Sequence, residues 1–149
     1  MDELIKMKVL ILCTGNSCRS QMAEAILQRL DNEIQVVSAG TNPAQQIHPV
    51  AVTALAEIGI DISEAKTKNI LDYLNDDWDY LITVCDVANE TCPSFNGTVG
   101  NKIYIKFDNP LAYEGDDEFI LNLVRNNRDR MIEEFEFFYR EILTKNKEK

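Results

Sequence analysis

The stretch KVLILC at residues 8–13 is an unbroken apolar run whose period changes abruptly at Ser17. An apolar run with no polar alternation fits a strand covered on both faces, the environment of a central strand in a parallel sheet. From Ser17 on, Met22, Ala25, Ile26 and Leu30 recur at helical spacing, with Arg19, Gln21, Glu24 and Gln28 over much of the remaining surface. The pattern then repeats. IQVVSAG (34–40) reads as a second strand, and HPVAVTALAEIGI as a helix that starts at Pro49 and stops near Gly59. DYLITVC (79–85) and NKIYIKF (101–107) read as two further strands. A long final helix carries Phe119, Leu123, Val124, Met131, Phe135, Phe138 and Ile142 on one stripe, ahead of a fraying TKNKEK tail. Strands alternating with helices predict an α/β fold in a single domain over 1–149. A central four-stranded parallel sheet carries helices on both faces.

Composition narrows what such a domain can do. A formal net charge of −10 argues against nucleic-acid binding, which needs a basic face, but leaves room for a small anion held by a few amides and one arginine. No apolar stretch approaches the ~20 residues of a membrane span. The N-terminus MDELIK has acids at 2 and 3 and no small-residue cleavage site, so the expected address is cytoplasmic. Four cysteines in such a compartment point to metal or redox chemistry rather than permanent disulfides. Zinc fits poorly: the spacings are C-x4-C and C-x6-C, and the chain has one histidine.

The segment CTGNSCRS follows the first strand and opens a helix. Ligands of parallel sheets sit at the carboxyl ends of strands, where Cys13 is expected. Gly15 and Asn16 tolerate unusual dihedrals. Thr14, Gly15, Asn16, Ser17, Cys18, Arg19 and Ser20 can therefore wrap a concave loop whose amides, with a helix dipole behind them, bind a tetrahedral oxyanion. Arg19 adds a planar cationic fork. The same field, with a hydrogen bond from Ser20, is expected to lower the Cys13 pKa and make it a nucleophile. Asp108, just past the last strand at the same sheet edge, is the candidate general acid for an oxygen leaving group.

CTGNSCRSQMAEA resembles the signature of the low-molecular-weight protein tyrosine phosphatase superfamily. Within that superfamily it is most similar to the thioredoxin-coupled arsenate reductases. SAGT (38–41), GIDIS (59–63), VCDVANETCP (84–93) and FDNP (107–110) extend the resemblance over most of the chain. The resemblance implies a relay. Cys13 attacks arsenate and Asp108 protonates the departing oxygen. Cys85 then attacks Cys13 with release of arsenite, and Cys92 attacks Cys85. Thioredoxin reduces the resulting Cys85–Cys92 disulfide. If residues 86–92 are helical, their rise of about 10 Å exceeds the ~7 Å a disulfide allows, so the segment must loop out. Cys18 has no role in this scheme and reads as a packing residue, as do Trp78 and the C-terminal aromatics; His48 reads as a loop residue.

No bound cofactor is implied, although some members hold a potassium ion behind the loop. Asn16, Glu24 and Ser38 match that site, and the fourth position falls in SEAKTKN, with Asn69 where an aspartate is usual. A monomer is expected. The competing activity is a phosphatase using Cys13, Arg19 and Asp108, with Cys85 and Cys92 as buried spectators. A non-catalytic anion-binding or redox-sensing module is the third class.

Overall fold

In the computed structural model, which describes residues 7–143, the strands are β1 (Lys8–Cys13), β2 (Gln35–Gly40), β3 (Trp78–Thr83) and β4 (Val99–Tyr104). All pair in parallel, in the order β2-β1-β3-β4. The MDELIK segment and the TKNKEK tail lie outside the described residues. Successive strand residues point to opposite faces, and Val9, Leu10, Ile11 and Leu12 are all fully buried. Both faces of β1 are therefore covered, as its apolar run requires. At the edge, β4 exposes Asn101 and Lys102, and a lysine there discourages pairing with another chain.

The helices are α1 (Arg19–Leu30), α2 (Pro49–Ala56), α3 (Asp86–Thr91) and α4 (Asp117–Phe138), and α4 packs against α1 and α2. Pro49 opens α2 as expected. His48 is more than a loop residue: it is the N-cap, its ring Nδ1 accepting the Val50 N–H at 3.1 Å. Gly59, in the left-handed region at φ +83°, turns the chain after α2. Trp78 is in the core, edge-on to Tyr73.

The stripe on α4 holds from Val124 through Met131, Phe135 and Phe138, all buried, with Leu123 half-buried; Ile142, also half-buried, lies in the π-helical turn Tyr139–Leu143 that continues it. Phe119 departs from it and is 45% exposed. It sits in the first turn, where Asp116 caps its N–H at 2.9 Å and its ring folds back over Gly115. Arg128 takes a buried position instead, donating to Ala54 O at 2.8 Å and to Glu57 at 2.7 Å. Hydrogen bonds from Arg125 and then Arg128 hold the Glu57 carboxyl at about 2, well below the usual range. Past β4, fully buried Phe107 stacks on Phe135 at 6.3 Å between centroids, with Arg130 4.4 Å above its ring. Through Phe107, α4 positions the loop that carries Asp108. No helix among the described residues is long and apolar enough to cross a membrane.

Candidate active site

Between the end of β1 at Cys13 and the start of α1 at Arg19, the chain turns its carbonyls outward. The Cys13, Thr14, Gly15 and Ser17 oxygens accept from the amides of Thr41, Asn42, Ala44 and His48 at 3.2, 2.9, 2.9 and 2.9 Å. Facing carbonyls out faces amides in. Each carbonyl turned out turns in the N–H of the next residue, and among the described residues no protein acceptor takes the Gly15, Asn16 or Cys18 N–H, which leaves them for an anion. Gly40 lets β2 pass this closely, since a Cβ there would lie 2.5 Å from Thr14 O.

The left-handed residue of the loop is Asn16 (φ 53°), whereas Gly15 keeps an ordinary dihedral. Fully buried Asn16 spends both ends of its carboxamide on holding the turn. Its Nδ2 donates to Ser20 Oγ at 2.7 Å and Ser38 Oγ at 2.9 Å. Its Oδ1 accepts from Gln21 Nε2 at 3.0 Å and the Lys68 N–H at 2.8 Å. Two expectations are corrected here. Ser20 partners Asn16 rather than the Cys13 sulfur, and Gln21 is buried, drawn inside by Asn16 and by Lys66 O at 2.9 Å. Cys18 is buried, and burial pushes its thiol up to about 12. It is a packing residue.

A cavity of about 420 Å³ opens over this loop, lined by Thr14, Arg19, Cys85, Phe107 and Asp108 among others. Arg19 Nη1 donates to Phe107 O at 2.9 Å, tying the loop to the segment bearing Asp108. The Asp108 side chain is exposed at the rim, and its own carbonyl accepts from Asn127 of α4 at 2.9 Å. Asn109 caps the 3₁₀ turn Pro110–Ala112 through the Leu111 N–H at 3.0 Å, so the DNP segment is a formed turn. Cys85 occupies the N-cap position of α3 without a side-chain capping bond, and its sulfur lies 3.3 Å from the Thr14 hydroxyl. Cys92, half-buried, stands at the other end of α3. Burial raises its thiol pKa, against a lowering by Lys102.

Cys13 and Cys85 are electrostatic partners, and the expected lowering of the Cys13 pKa is reversed. The hydrogen bond to Cys85, and then burial, drive the Cys13 thiol far up, outweighing the Arg19 charge. The same hydrogen bond brings Cys85 down to about 5. The two thiols therefore titrate as a pair, Cys85 held below the ordinary thiol range and Cys13 above it. The pair therefore favours one thiolate at a pH where an ordinary thiol is protonated, and loses it as pH falls through the lowered Cys85 pKa. Iodoacetamide should label one member of this pair below about pH 7, where an ordinary thiol near 8.5 is protonated, and should spare Cys18. Peptide mapping across pH reads both outcomes; alkylation that rises only above pH 8 would contradict the lowered thiol.

Behind the loop, Asn16, Glu24 and Ser38 do come together: Ser38 donates to Glu24 Oε1 through Oγ at 2.6 Å and N–H at 2.9 Å. Asn69 does not join them by hydrogen bonding. Its Oδ1 caps the Leu71 N–H at 2.9 Å, and it is Lys68 whose ammonium approaches Glu24, at 3.4 Å.

Residues 8–116 match the model of the low molecular weight phosphotyrosine protein phosphatase family. The chain belongs to this family. It is 42% identical over 129 residues to an arsenate reductase from Halalkalibacterium halodurans, covering 85% of this chain and 90% of the relative. An arsenate reductase solved in its phosphate-binding state superposes with a TM-score of 0.76 at 30% identity, over 91% of this chain and 98% of that one. A thioredoxin-dependent arsenate reductase from Corynebacterium glutamicum gives 0.61 at 30% identity, over 89% and 62%. Three contributors to the family loop escaped sequence reasoning: Gln21, Lys68 and the amides of 41–48. Only Gln21 left a signal, standing beside Met22 on the inward edge of α1.

Proposed function

We propose that the chain reduces arsenate to arsenite through Cys13, Cys85 and Cys92 and is regenerated by thioredoxin. The observation that carries this reading is a second thiol, Cys85, which lines the cavity over the anion loop with Arg19 and Asp108 and lies 3.3 Å from the hydroxyl of Thr14, the residue next to Cys13. Phosphoester hydrolysis by this family's chemistry uses Cys13, Arg19 and Asp108 and has no use for it. Similarity to arsenate reductases, one of them thioredoxin-dependent, supports the same choice.

Arsenate, held by the loop amides and Arg19, accepts the pair's proton. The Cys13 thiolate forms the S–As bond while an arsenate oxygen, protonated by Asp108, leaves as water. Cys85 then attacks the Cys13 sulfur. The S–As bond breaks with its electron pair remaining on arsenic, which falls from As(V) to As(III), and the two sulfurs form a disulfide. Cys92 attacks Cys85, expelling Cys13 as a thiolate into the field of Arg19. A thioredoxin dithiol then reduces Cys85–Cys92. Both electrons travel as thiols, so one chain suffices, no bound cofactor enters, and a reducing compartment such as the cytoplasm suits the cycle.

The test is arsenate-dependent NADPH oxidation in the presence of thioredoxin and thioredoxin reductase. Sustained oxidation is expected. No oxidation, together with cleavage of an aryl phosphate that survives Cys85→Ser, would replace the reading with a phosphatase.

A further inference from the structure

Glu24, Asn16 and Ser38 form a polar cluster directly behind the loop, and its hydrogen-bond directions test whether a potassium ion fits. A monovalent ion needs several oxygen lone pairs aimed at one point. Here Asn16 Oδ1 already accepts twice, from Gln21 Nε2 and the Lys68 N–H. Asn16 turns its Nδ2 donor toward Ser38, and the Ser38 proton goes to Glu24. Asn69 is committed to Leu71. The donor set therefore does not fit a bare ion.

We propose that the Lys68 ammonium is the cation of this cluster, a positioning charge built into the chain that braces the anion loop from behind. Its Nζ lies 3.4 Å from Glu24 Oε1 and 3.3 Å from Lys66 O, and its side chain and that of Glu24 are only 26% and 28% exposed. The same residue's backbone holds the two parts that shape the loop. Its N–H binds Asn16, the left-handed residue, and its carbonyl accepts the Gly40 N–H at 2.8 Å, at the point where β2 passes Thr14. Remove the ammonium and Glu24 becomes an uncompensated carboxylate behind a loop made to receive an anion. Partly buried charges are poorly screened, so that repulsion weakens oxyanion binding.

Sulfate, a tetrahedral oxyanion with no redox step here, is the probe, titrated calorimetrically into the reduced protein. The proposal rests on the anion-loop part of the functional reading alone, so failure of arsenate turnover leaves it standing. For the native chain, sulfate affinity should be the same in potassium chloride and in choline chloride of equal ionic strength. Lys68→Met should bind sulfate about tenfold more weakly, the size of one partly buried charge interaction. Lys68→Arg should retain affinity. The double variant Lys68→Met/Glu24→Gln, which removes the cation and the carboxylate together, should recover it, a rescue that loss of packing would not produce. Three results would overturn the proposal: tighter native binding in potassium, native-like affinity in Lys68→Met, or no recovery in the double variant. The native salt comparison decides even if Lys68→Met does not fold.

Discussion

Cys92→Ser will release one arsenite per protein molecule and then stop, however much thioredoxin is present. The first two steps need only Cys13 and Cys85, which are already partners in the reduced protein. The third needs Cys92, which α3 holds away. Seven residue steps at 1.5 Å put the two ends of this helix about 10 Å apart, beyond the ~7 Å Cα separation of a disulfide. The helix must unwind, and little opposes that. It spans only the six residues Asp86–Thr91, far below the ~12 at which an isolated helix begins to persist. Its visible tethers are unequal. Asp86 is bonded to Tyr104 and paired with Lys106 at 3.3 Å, fixing the Cys85 end, while Thr83 Oγ1 reaches Asn89 Oδ1 at 2.8 Å. Cys92 is the end that travels. In the variant, the Cys13–Cys85 disulfide has no resolving thiol and stays buried, so rapid mixing should show a burst of one equivalent with no steady phase. Continuous turnover by Cys92→Ser would mean that thioredoxin reduces Cys13–Cys85 directly.

Arg19→Lys will lower kcat/KM for arsenate by about 10²–10³, comparable to removing a preorganised oxyanion donor. The charge survives, but two geometric functions do not. Lysine cannot grip two oxygens in one plane, and its single nitrogen cannot serve the oxyanion while holding Phe107 O. Losing the latter contact frees the segment that carries Asp108, so leaving-group protonation weakens with binding. The steady-state constants separate the effects: weaker binding alone raises KM, whereas displacement of the acid also lowers kcat. An unchanged kcat/KM would remove Arg19 from the chemistry.

What could be seen in the sequence was local. The KVLILC run, the switch of period at Ser17 and the cysteines at strand ends are short-range signals, and the sheet, the loop and Cys85 beside the cavity follow from them. What could not be seen depends on contacts between distant residues. Cys13 and Cys85 meet because β1 and β3 are neighbours in the sheet, and that meeting, with burial, turns the Cys13 pKa upward against the direction expected from its loop alone. The ammonium of Lys68 meets Glu24 across 44 positions, and no periodicity encodes that meeting. Phe119 kept the stripe's spacing but fell in the first turn of α4, where capping decides its place.

The relay is tested most directly by mapping disulfides after arsenate is added to reduced protein without thioredoxin, with free thiols blocked by alkylation before digestion. With the alkylation carried out in denaturant, so that buried thiols react, the account predicts a Cys85–Cys92 linked peptide in the native chain, with Cys13 and Cys18 alkylated, and a Cys13–Cys85 linked peptide in Cys92→Ser. Four alkylated cysteines after arsenate, or a disulfide that includes Cys18, would contradict it.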